Sequence, residues 1–111
     1  MNYCRITRWG FESVHVLNEK KLTIKTLLLL DGESTSLQFH KSRDEFWFAI
    51  SPVRVVKGEE EILLKKDGMI CIPRGKKHRL AGVDMSWIVE VSYGDFSEDD
   101  IVRLEDKYGR V

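Results

Sequence analysis

The amino-acid sequence predicts an all-β protein, built as an antiparallel barrel or jelly roll, and two regularities support this prediction. Turn-forming pairs such as Asp31-Gly32 and Gly94-Asp95 recur about every eight to twelve residues, which is typical of β-sandwiches and barrels. The runs between them are short and rich in β-branched and aromatic residues, and several alternate apolar with polar positions. About eight such strands leave little room for helices. The predicted strands are Ser13–Leu17, Leu22–Leu30, Ser36–His40, Phe46–Ile50, Val53–Val56, Glu61–Leu64, Met69–Ile72 and Trp87–Tyr93.

The last predicted strand shows the alternation most plainly. Residues 87, 89, 91 and 93 form an apolar face, while Glu90 and Ser92 lie on the opposite face, which is the pattern of a strand with one buried side. Between two earlier strands, Asp67-Gly68 predicts a hairpin turn, because glycine accepts a positive φ.

The carboxyl-terminal tail departs from the β pattern. Ser97 is a good helix N-cap, and the acids that follow it suit a first helical turn. Ile101, Leu104 and Tyr108 then recur at i, i+3 and i+7, which predicts a short helical segment. The alternative is a packed or fraying terminus without chemistry.

Length and composition define the kind of protein. With 111 residues, 42% of them hydrophobic and 32% charged, the chain is expected to form one soluble domain over 1–111. Its 18 basic and 18 acidic residues balance, which argues against a nucleic-acid binder that depends on phosphate neutralisation, and leaves only a local basic patch open. Cys4 and Cys71 form no CxxC pattern, and the apolar runs, Leu27–Leu30 among them, are far too short to span a bilayer. We therefore expect a cytoplasmic protein without membrane contact.

Four side chains form a candidate metal site. Gln38 and His40 lie two apart on one predicted strand and therefore share a face, and Glu45 opens the next run. His78 follows the strand Met69–Ile72, so the four converge if the strands wrap one barrel. Two imidazoles, a carboxylate and an amide oxygen suit a divalent cation; zinc is the first choice, with iron, cobalt and manganese open. The alternative is a hydrogen-bonded polar core without metal.

The spacing of these residues resembles a known family. Gln38-x-His40-x4-Glu45 followed by Pro73-x-Gly75-x2-His78 is similar to the two cupin motifs. Glutamine at the first position, and the tail from Glu98 to Arg110, resemble the C-terminal cupin domain of type II mannose-6-phosphate isomerases, the phosphomannose isomerase and mannose-1-phosphate guanylyltransferase family. The resemblance implies a cupin-type barrel in which the four residues bind a metal ion.

The resemblance has departures. Phe46 stands where the family usually has histidine, and Pro52 stands where it usually has glycine. Many members also carry an N-terminal nucleotidyltransferase domain with a glycine-rich phosphate loop, which no segment of this sequence supplies. Sugar-nucleotide synthesis is therefore not implied.

The activity that the resemblance implies is the interconversion of mannose 6-phosphate and fructose 6-phosphate. Such a reaction moves a proton between adjacent carbons, and Glu90 is the candidate for that step, with a surface or ion-paired role as the alternative. The phosphate requires cationic donors, for which Arg43, Lys77 and Arg79 are candidates. The resemblance gives most weight to Arg110, as a substrate-binding and catalytic residue.

The same barrel and candidate metal site also suit two rival functions. The rivals are a nucleotide-sugar isomerase or epimerase and a non-catalytic carbohydrate-binding cupin.

Phe46 and Phe48 alternate with Glu45 and Trp47, so inward-facing Glu45 and Trp47 would direct the phenylalanines outward. This predicts a homodimer, as cupins often form; the alternative is ordinary packing between the protein's own sheets.

Overall fold

The computed structural model describes residues 3–95, 97 and 99–109, and this part of the chain forms eleven β-strands and no helix. No helix long and apolar enough to cross a membrane occurs among these residues. The strands are β1 Tyr3–Ile6, β2 Gly10–Glu19, β3 Leu22–Leu29, β4 Leu37–Phe39, β5 Arg43–Ala49, β6 Val53–Lys57, β7 Glu60–Leu64, β8 Met69–Ile72, β9 His78–Gly82, β10 Ser86–Gly94 and β11 Val102–Glu105.

The strands form two antiparallel sheets that face each other. The six-stranded sheet has the order β1-β2-β3-β10-β5-β8, and the five-stranded sheet has the order β11-β4-β9-β6-β7. Strands that are distant in sequence, such as β3, β10 and β5, are hydrogen-bonded neighbours, which is characteristic of a jelly roll. The all-β prediction is confirmed, in the form of a jelly-roll sandwich with two separate sheets.

The space between the sheets is apolar at one end and polar at the other. Towards one end of β10, Ile88 lies opposite Ala49 and Leu27, and all three are buried. Towards the other end, Ser92 lies opposite Glu45, and these side chains are also buried. The core therefore anchors the strands and leaves a polar chamber beyond it. The core cluster consists of Trp9, Leu27, Leu29, Trp47, Ala49, Val53, Val55, Leu64, Ile72, Leu80 and Ile88.

The alternation predicted for β10 is present, but the polar face is the inner one. Glu90 and Ser92 point between the sheets with Ile88, whereas Trp87 and Tyr93 are exposed on the outside. A buried strand face normally carries the apolar residues. Here the inner face lines a polar chamber. The usual interpretation, in which the apolar face of the strand is buried, is therefore wrong for β10.

The predicted C-terminal helix is wrong. Residues 102–105 form β11, which pairs with β4 and places Val102 opposite Phe39 and Arg103 opposite Gln38. Sheet pairing satisfies the backbone along the edge of β4, and this outweighs the helical spacing of Ile101 and Leu104. Glu98, in the predicted first helical turn, lies outside the described residues.

The Asp67-Gly68 turn joins the two sheets and does not form the predicted hairpin. It connects β7 of the five-stranded sheet to β8 of the six-stranded sheet. Asp67, with φ of 69°, takes the left-handed conformation. Gly68 is required for space, since a Cβ there would lie 2.8 Å from Leu64 Cδ1 and 2.9 Å from the Lys65 carbonyl oxygen.

Besides β11, two further strands were not predicted from the sequence. β9, His78–Gly82, contains no β-branched residue, yet it pairs with both β4 and β6. β1, Tyr3–Ile6, is an edge strand against β2. β9 depends on long-range pairing and carries little local β propensity, whereas β1 is a short strand that pairs with the next strand along the chain.

Candidate metal and substrate site

The polar chamber is a cavity of about 500 Å³ between the sheets. Gln38 on β4, Glu45 on β5 and His78 at the start of β9 all line it. His40 follows β4 directly and contacts the same cluster. The volume is within the range of about 300–1,000 Å³ that is typical of small-molecule sites.

His40, Glu45 and His78 form a compact, buried cluster. His40 Nε2 lies 3.5 Å from Glu45 Oε2, and His78 Nε2 lies 3.6 Å from Glu45 Oε1. One ligand atom from each residue lies within 4.8 Å of the others. All three side chains are almost fully buried, at 2–3% exposure.

Backbone contacts fix which nitrogen each histidine presents to the cavity. His40 Nδ1 lies 2.7 Å from the Asp100 carbonyl oxygen, and His78 Nδ1 lies 3.0 Å from the Lys76 carbonyl oxygen. A carbonyl oxygen only accepts, so in both rings Nδ1 carries the proton and donates it. Nε2 of each neutral ring is then left with a lone pair, which is the arrangement of metal-ligating histidines.

The cluster fits a divalent cation. Glu45 Oε1 and His78 Nε2 are both buried without a hydrogen-bond partner, although they lie 3.6 Å apart. Two acceptors that face each other cannot satisfy each other, whereas a cation between them would satisfy both. Imidazole nitrogens with a carboxylate suit first-row divalent ions. The three residues are thus a candidate metal site.

Gln38 lies beside this cluster with its amide already engaged. Its Nε2 lies 3.4 Å from His40 Nε2, and its Oε1 accepts a hydrogen bond from the Ser36 hydroxyl. Because Oε1 retains a second lone pair, Gln38 stays the predicted fourth ligand.

Arg43 holds the carboxylate side of the cluster. Its Nε donates to Glu45 Oε2 at 3.2 Å, and its Nη2 donates to His40 Nε2 at 3.1 Å. Ser92 Oγ also donates to Glu45 Oε2, at 3.3 Å. The guanidinium therefore compensates a carboxylate that has been removed from water.

Burial and neighbouring charges set the protonation of the cluster. Burial, with the charge of Arg43, lowers the pKa of His40 below its usual value, which favours the neutral ligand form. Burial alone would raise the pKa of Glu45, but His78, His40 and Arg43 together hold it below the usual value. A neutral imidazole and an ionised carboxylate are the forms that bind metal.

A second group of charges, which we call the acid–base group, lies further along the inner face of the six-stranded sheet. It consists of Glu12, Lys25 and Glu90, all of which line the cavity. Lys25 Nζ lies 3.6 Å from Glu12 Oε2, and Lys25 lies directly opposite Glu90 in the sheet. Burial, followed by the charge of Glu45, raises the pKa of Glu90 to about 8. The sequence analysis identified Glu90 but missed Glu12 and Lys25. The signal that could have identified them is that they occupy inward-facing positions of β2 and β3.

The predicted phosphate ligands are placed differently from one another. Arg43 lines the cavity, as described above. Lys77 pairs with Glu59, with 2.5 Å between Lys77 Nζ and Glu59 Oε1, and is not among the cavity-lining residues. Arg79 donates to the carbonyl oxygens of Thr35 and Glu105 and lines a separate surface hollow. Arg110 lies outside the described residues.

Fold and site together define the class of protein: a cupin-type jelly roll with a candidate His/Glu metal site. Among solved structures, Streptomyces PAC13 with uridine has a TM-score of 0.81 at 12% identity, covering 94% of this chain and 84% of that chain. The Schizosaccharomyces pombe Cnp3 cupin domain has a TM-score of 0.70 at 14% identity, covering 77% of this chain and 64% of that chain. At these identities the likeness shows the fold alone.

The chain belongs to the mannose-6-phosphate isomerase C-terminal family, which matches residues 2–106. It is 37% identical over 107 residues to the xanthan biosynthesis protein XanB of Xanthomonas campestris pv. campestris, covering 92% of this chain and 22% of the relative. It is 36% identical over 115 residues to the alginate biosynthesis protein AlgA of Pseudomonas aeruginosa, covering 98% of this chain and 24% of the relative. The chain thus spans only 22–24% of the length of these relatives. The resemblance stated from the motifs is confirmed.

Proposed function

We propose that this chain is a metal-dependent sugar-phosphate isomerase that interconverts mannose 6-phosphate and fructose 6-phosphate. The observation that carries the proposal is the buried cluster of His40, Glu45 and His78 at the wall of a 500 Å³ cavity, in a member of this family. A titratable carboxyl group, Glu90, lines the same cavity. These features supply what aldose–ketose isomerisation requires: a charge-stabilising site and a group that moves a proton.

His40, Glu45 and His78, with Gln38, would hold the divalent cation. When bound, such an ion would stabilise the negative charge that develops on the sugar oxygens during the reaction. Arg43 supports the site by donating to Glu45, and Ser92 adds a second donor to Glu45. The contact of Arg43 with His40 Nε2 would give way to the cation, because that nitrogen has a single lone pair.

Glu90 is the residue that would move the proton between the sugar carbons. It lies two residues from Ser92 along the inner face of β10, so it stands roughly 7 Å along the strand from the row that contains Glu45. In its ionised form it removes the proton from C2 while the aldehyde oxygen is protonated, which gives the enediol. It then returns the proton to C1 as the oxygen on C2 loses its own proton and becomes the ketone. A carboxylate with a pKa of about 8 is a stronger base than an exposed one.

The test is a coupled assay of fructose 6-phosphate formation by the purified chain, before and after chelation and with metal restored. Turnover is expected only with metal, and His40→Ala and His78→Ala should each lose both metal and turnover. The chain holds three histidines, and the third, His15, is exposed on β2, so His15→Ala is the matched control and should keep both. Turnover that survives in both His40→Ala and His78→Ala contradicts the proposal.

The same preparation separates the rival functions. Metal content without turnover of the sugar phosphate, but with turnover of a nucleotide sugar, selects a nucleotide-sugar isomerase or epimerase. Saturable sugar binding with neither metal nor turnover selects a carbohydrate-binding cupin. Either result refutes the isomerase proposal.

A further inference from the structure

Polar atoms that lack a partner concentrate in the cavity. Among the described residues, the buried side-chain nitrogens and oxygens without a hydrogen-bond partner are Glu45 Oε1, Trp47 Nε1, His78 Nε2 and Arg103 Nε. All four residues line the cavity described above. The first and third atoms belong to the candidate metal site. The other two are N–H donors, which need an acceptor that the described residues do not supply.

Arg103 lies beside the candidate metal ligands. In the five-stranded sheet, Arg103 on β11 lies opposite Gln38 on β4, and Gln38 lies opposite His78 on β9. The three residues form one row across the inner face. Two strand spacings, roughly 10 Å, therefore separate the backbone of His78 from that of Arg103. This separation suits a ligand with its reacting carbons at one end and an anionic group at the other.

The charges around the cavity favour an anionic ligand. The cationic side chains that line it are Arg5, Arg8, Lys25, Arg43 and Arg103, and the carboxyl groups that line it are Glu12, Glu45 and Glu90. Glu12 is already paired with Arg5 and Lys25, and Glu45 with Arg43. Cations therefore outnumber carboxylates, and a positive, partly enclosed chamber attracts anions.

Arginine is the side chain best suited to hold a phosphate group. Its planar guanidinium presents several N–H donors in a fixed fork that matches phosphate oxygens. Arg8, the other cation not paired with a carboxylate above, donates through Nη1 to the carbonyl oxygen of Tyr108 at 3.2 Å. Arg103 combines a buried, unpartnered N–H with a place next to the candidate metal ligands.

We propose that Arg103 is a phosphate-binding residue, which holds the phosphate of a phosphomonoester substrate while the reacting carbons lie at the His40, Glu45 and His78 cluster. The identity of the sugar rests on the proposed function, whereas anion binding by Arg103 does not. The sequence analysis included Arg103 in the family-like tail but gave the phosphate role to Arg110, because the place of Arg103 at the cavity depends on the pairing of β11 with β4.

The test is calorimetric titration of the full chain with inorganic phosphate, mannose 6-phosphate and mannose. Arg103→Gln should weaken the binding of phosphate and of mannose 6-phosphate at least tenfold, and leave the binding of mannose and the metal content unchanged. The matched control is Arg54→Gln, which removes an exposed arginine from β6 of the same sheet and should bind as the parent does. Arg103→Lys keeps the charge without the fork and should show a smaller loss.

The outcomes separate this inference from the proposed isomerase. Phosphate binding that depends on Arg103 in a chain without isomerase turnover supports the inference and refutes the proposed function. Turnover with an unchanged KM for mannose 6-phosphate in Arg103→Gln supports the function and overturns the inference. A parent chain that binds no phosphate also overturns it. If Arg103→Gln fails to fold, Arg103→Lys decides, and affinity equal to that of the parent contradicts the role.

Discussion

Glu90 on β10 lies directly opposite Lys25 on β3, and both side chains line the cavity between the two sheets. A carboxyl group and an amine at neighbouring positions would ordinarily form an ion pair with a low carboxyl pKa. Here burial and the charge of Glu45 outweigh Lys25, and the pKa of Glu90 rises to about 8. The inner face of the six-stranded sheet therefore carries a carboxyl group that is largely protonated at neutral pH.

This relationship predicts how stability depends on pH. The groups that act on Glu90 are Lys25, Glu45, Arg43 and Glu12. Between pH 4.5, the pKa of an ordinary glutamate, and about 8, the folded state holds a proton that the unfolded state has lost. Stability from this group is complete below that window and falls, by up to about 1.4 kcal/mol per pH unit, as the pH rises through it.

Glu90→Gln removes this dependence, because glutamine mimics the protonated acid. We expect the free energy of unfolding of Glu90→Gln, relative to the parent, to increase steadily from pH 5 to pH 8 in urea denaturation. Glu61→Gln, at an exposed position on β7, is the control and should show no such trend. A difference between Glu90→Gln and the parent that is constant across this range contradicts the raised pKa of Glu90.

Arg43 should be critical to the protein without metal. It compensates the buried Glu45 carboxylate, so Arg43→Gln is expected to lower the free energy of unfolding by about 3 kcal/mol in the presence of a chelator. Excess zinc should reduce this loss, because a bound cation supplies the missing positive charge.

The control for Arg43 is a surface ion pair of the same type. Arg74 Nη2 lies 3.3 Å from Asp44 Oδ2, and both side chains are partly exposed. Arg74→Gln should cost less than about 1 kcal/mol. Equal losses of unfolding free energy in the two variants would show that the burial of Glu45 does not determine how much the Arg43 ion pair contributes to stability.

The outer face of the six-stranded sheet is the place where we propose that a second copy of the chain binds. Phe46 lies opposite Val91, and Phe48 lies opposite Val89. Trp87 and Met69, further along this face, are 38% and 67% exposed. A continuous apolar surface across adjacent strands is suited to face-to-face packing of two sheets related by a twofold axis.

Sedimentation velocity tests the dimer. The parent chain should sediment as a dimer at micromolar concentration, and Phe46→Glu should shift it to the monomer because each copy would bury a charge. Leu63→Glu, at an exposed position on β7 of the other sheet, is the control and should stay dimeric. A monomeric parent chain contradicts the proposal.

Much of this architecture follows from local sequence patterns. Period-two alternation and turn residues located eight of the strands, and the motif spacing predicted that Gln38 and Glu45 come together, although they lie on β4 and β5 of the two facing sheets and not on paired strands. Two of the three strands that local patterns missed depend on pairing between distant segments. β9 and β11 form because β4 lies between them in the sheet, and this pairing is what brings Arg103 to the cavity.

The polarity of β10 shows a second limit of sequence reasoning. Alternation identifies two faces of a strand but does not state which one the protein encloses. In β10 the enclosed face carries Glu90 and Ser92, because it lines a polar chamber, and the apolar face with Trp87 points outward. A polar inner face is typical of a strand that lines a binding cavity, and the apolar outer face is the surface proposed above to bind a second copy of the chain.

The proposal on which the others depend is that His40, Glu45 and His78 hold one divalent ion inside the jelly roll. Its most direct test is calorimetric titration of the chelator-treated chain with zinc, compared with Glu45→Gln and with Glu59→Gln, which changes an exposed carboxylate. We predict one zinc ion per chain for the parent and for Glu59→Gln, and a loss of affinity of at least a hundredfold for Glu45→Gln. Equal zinc affinity in all three proteins would contradict the claim.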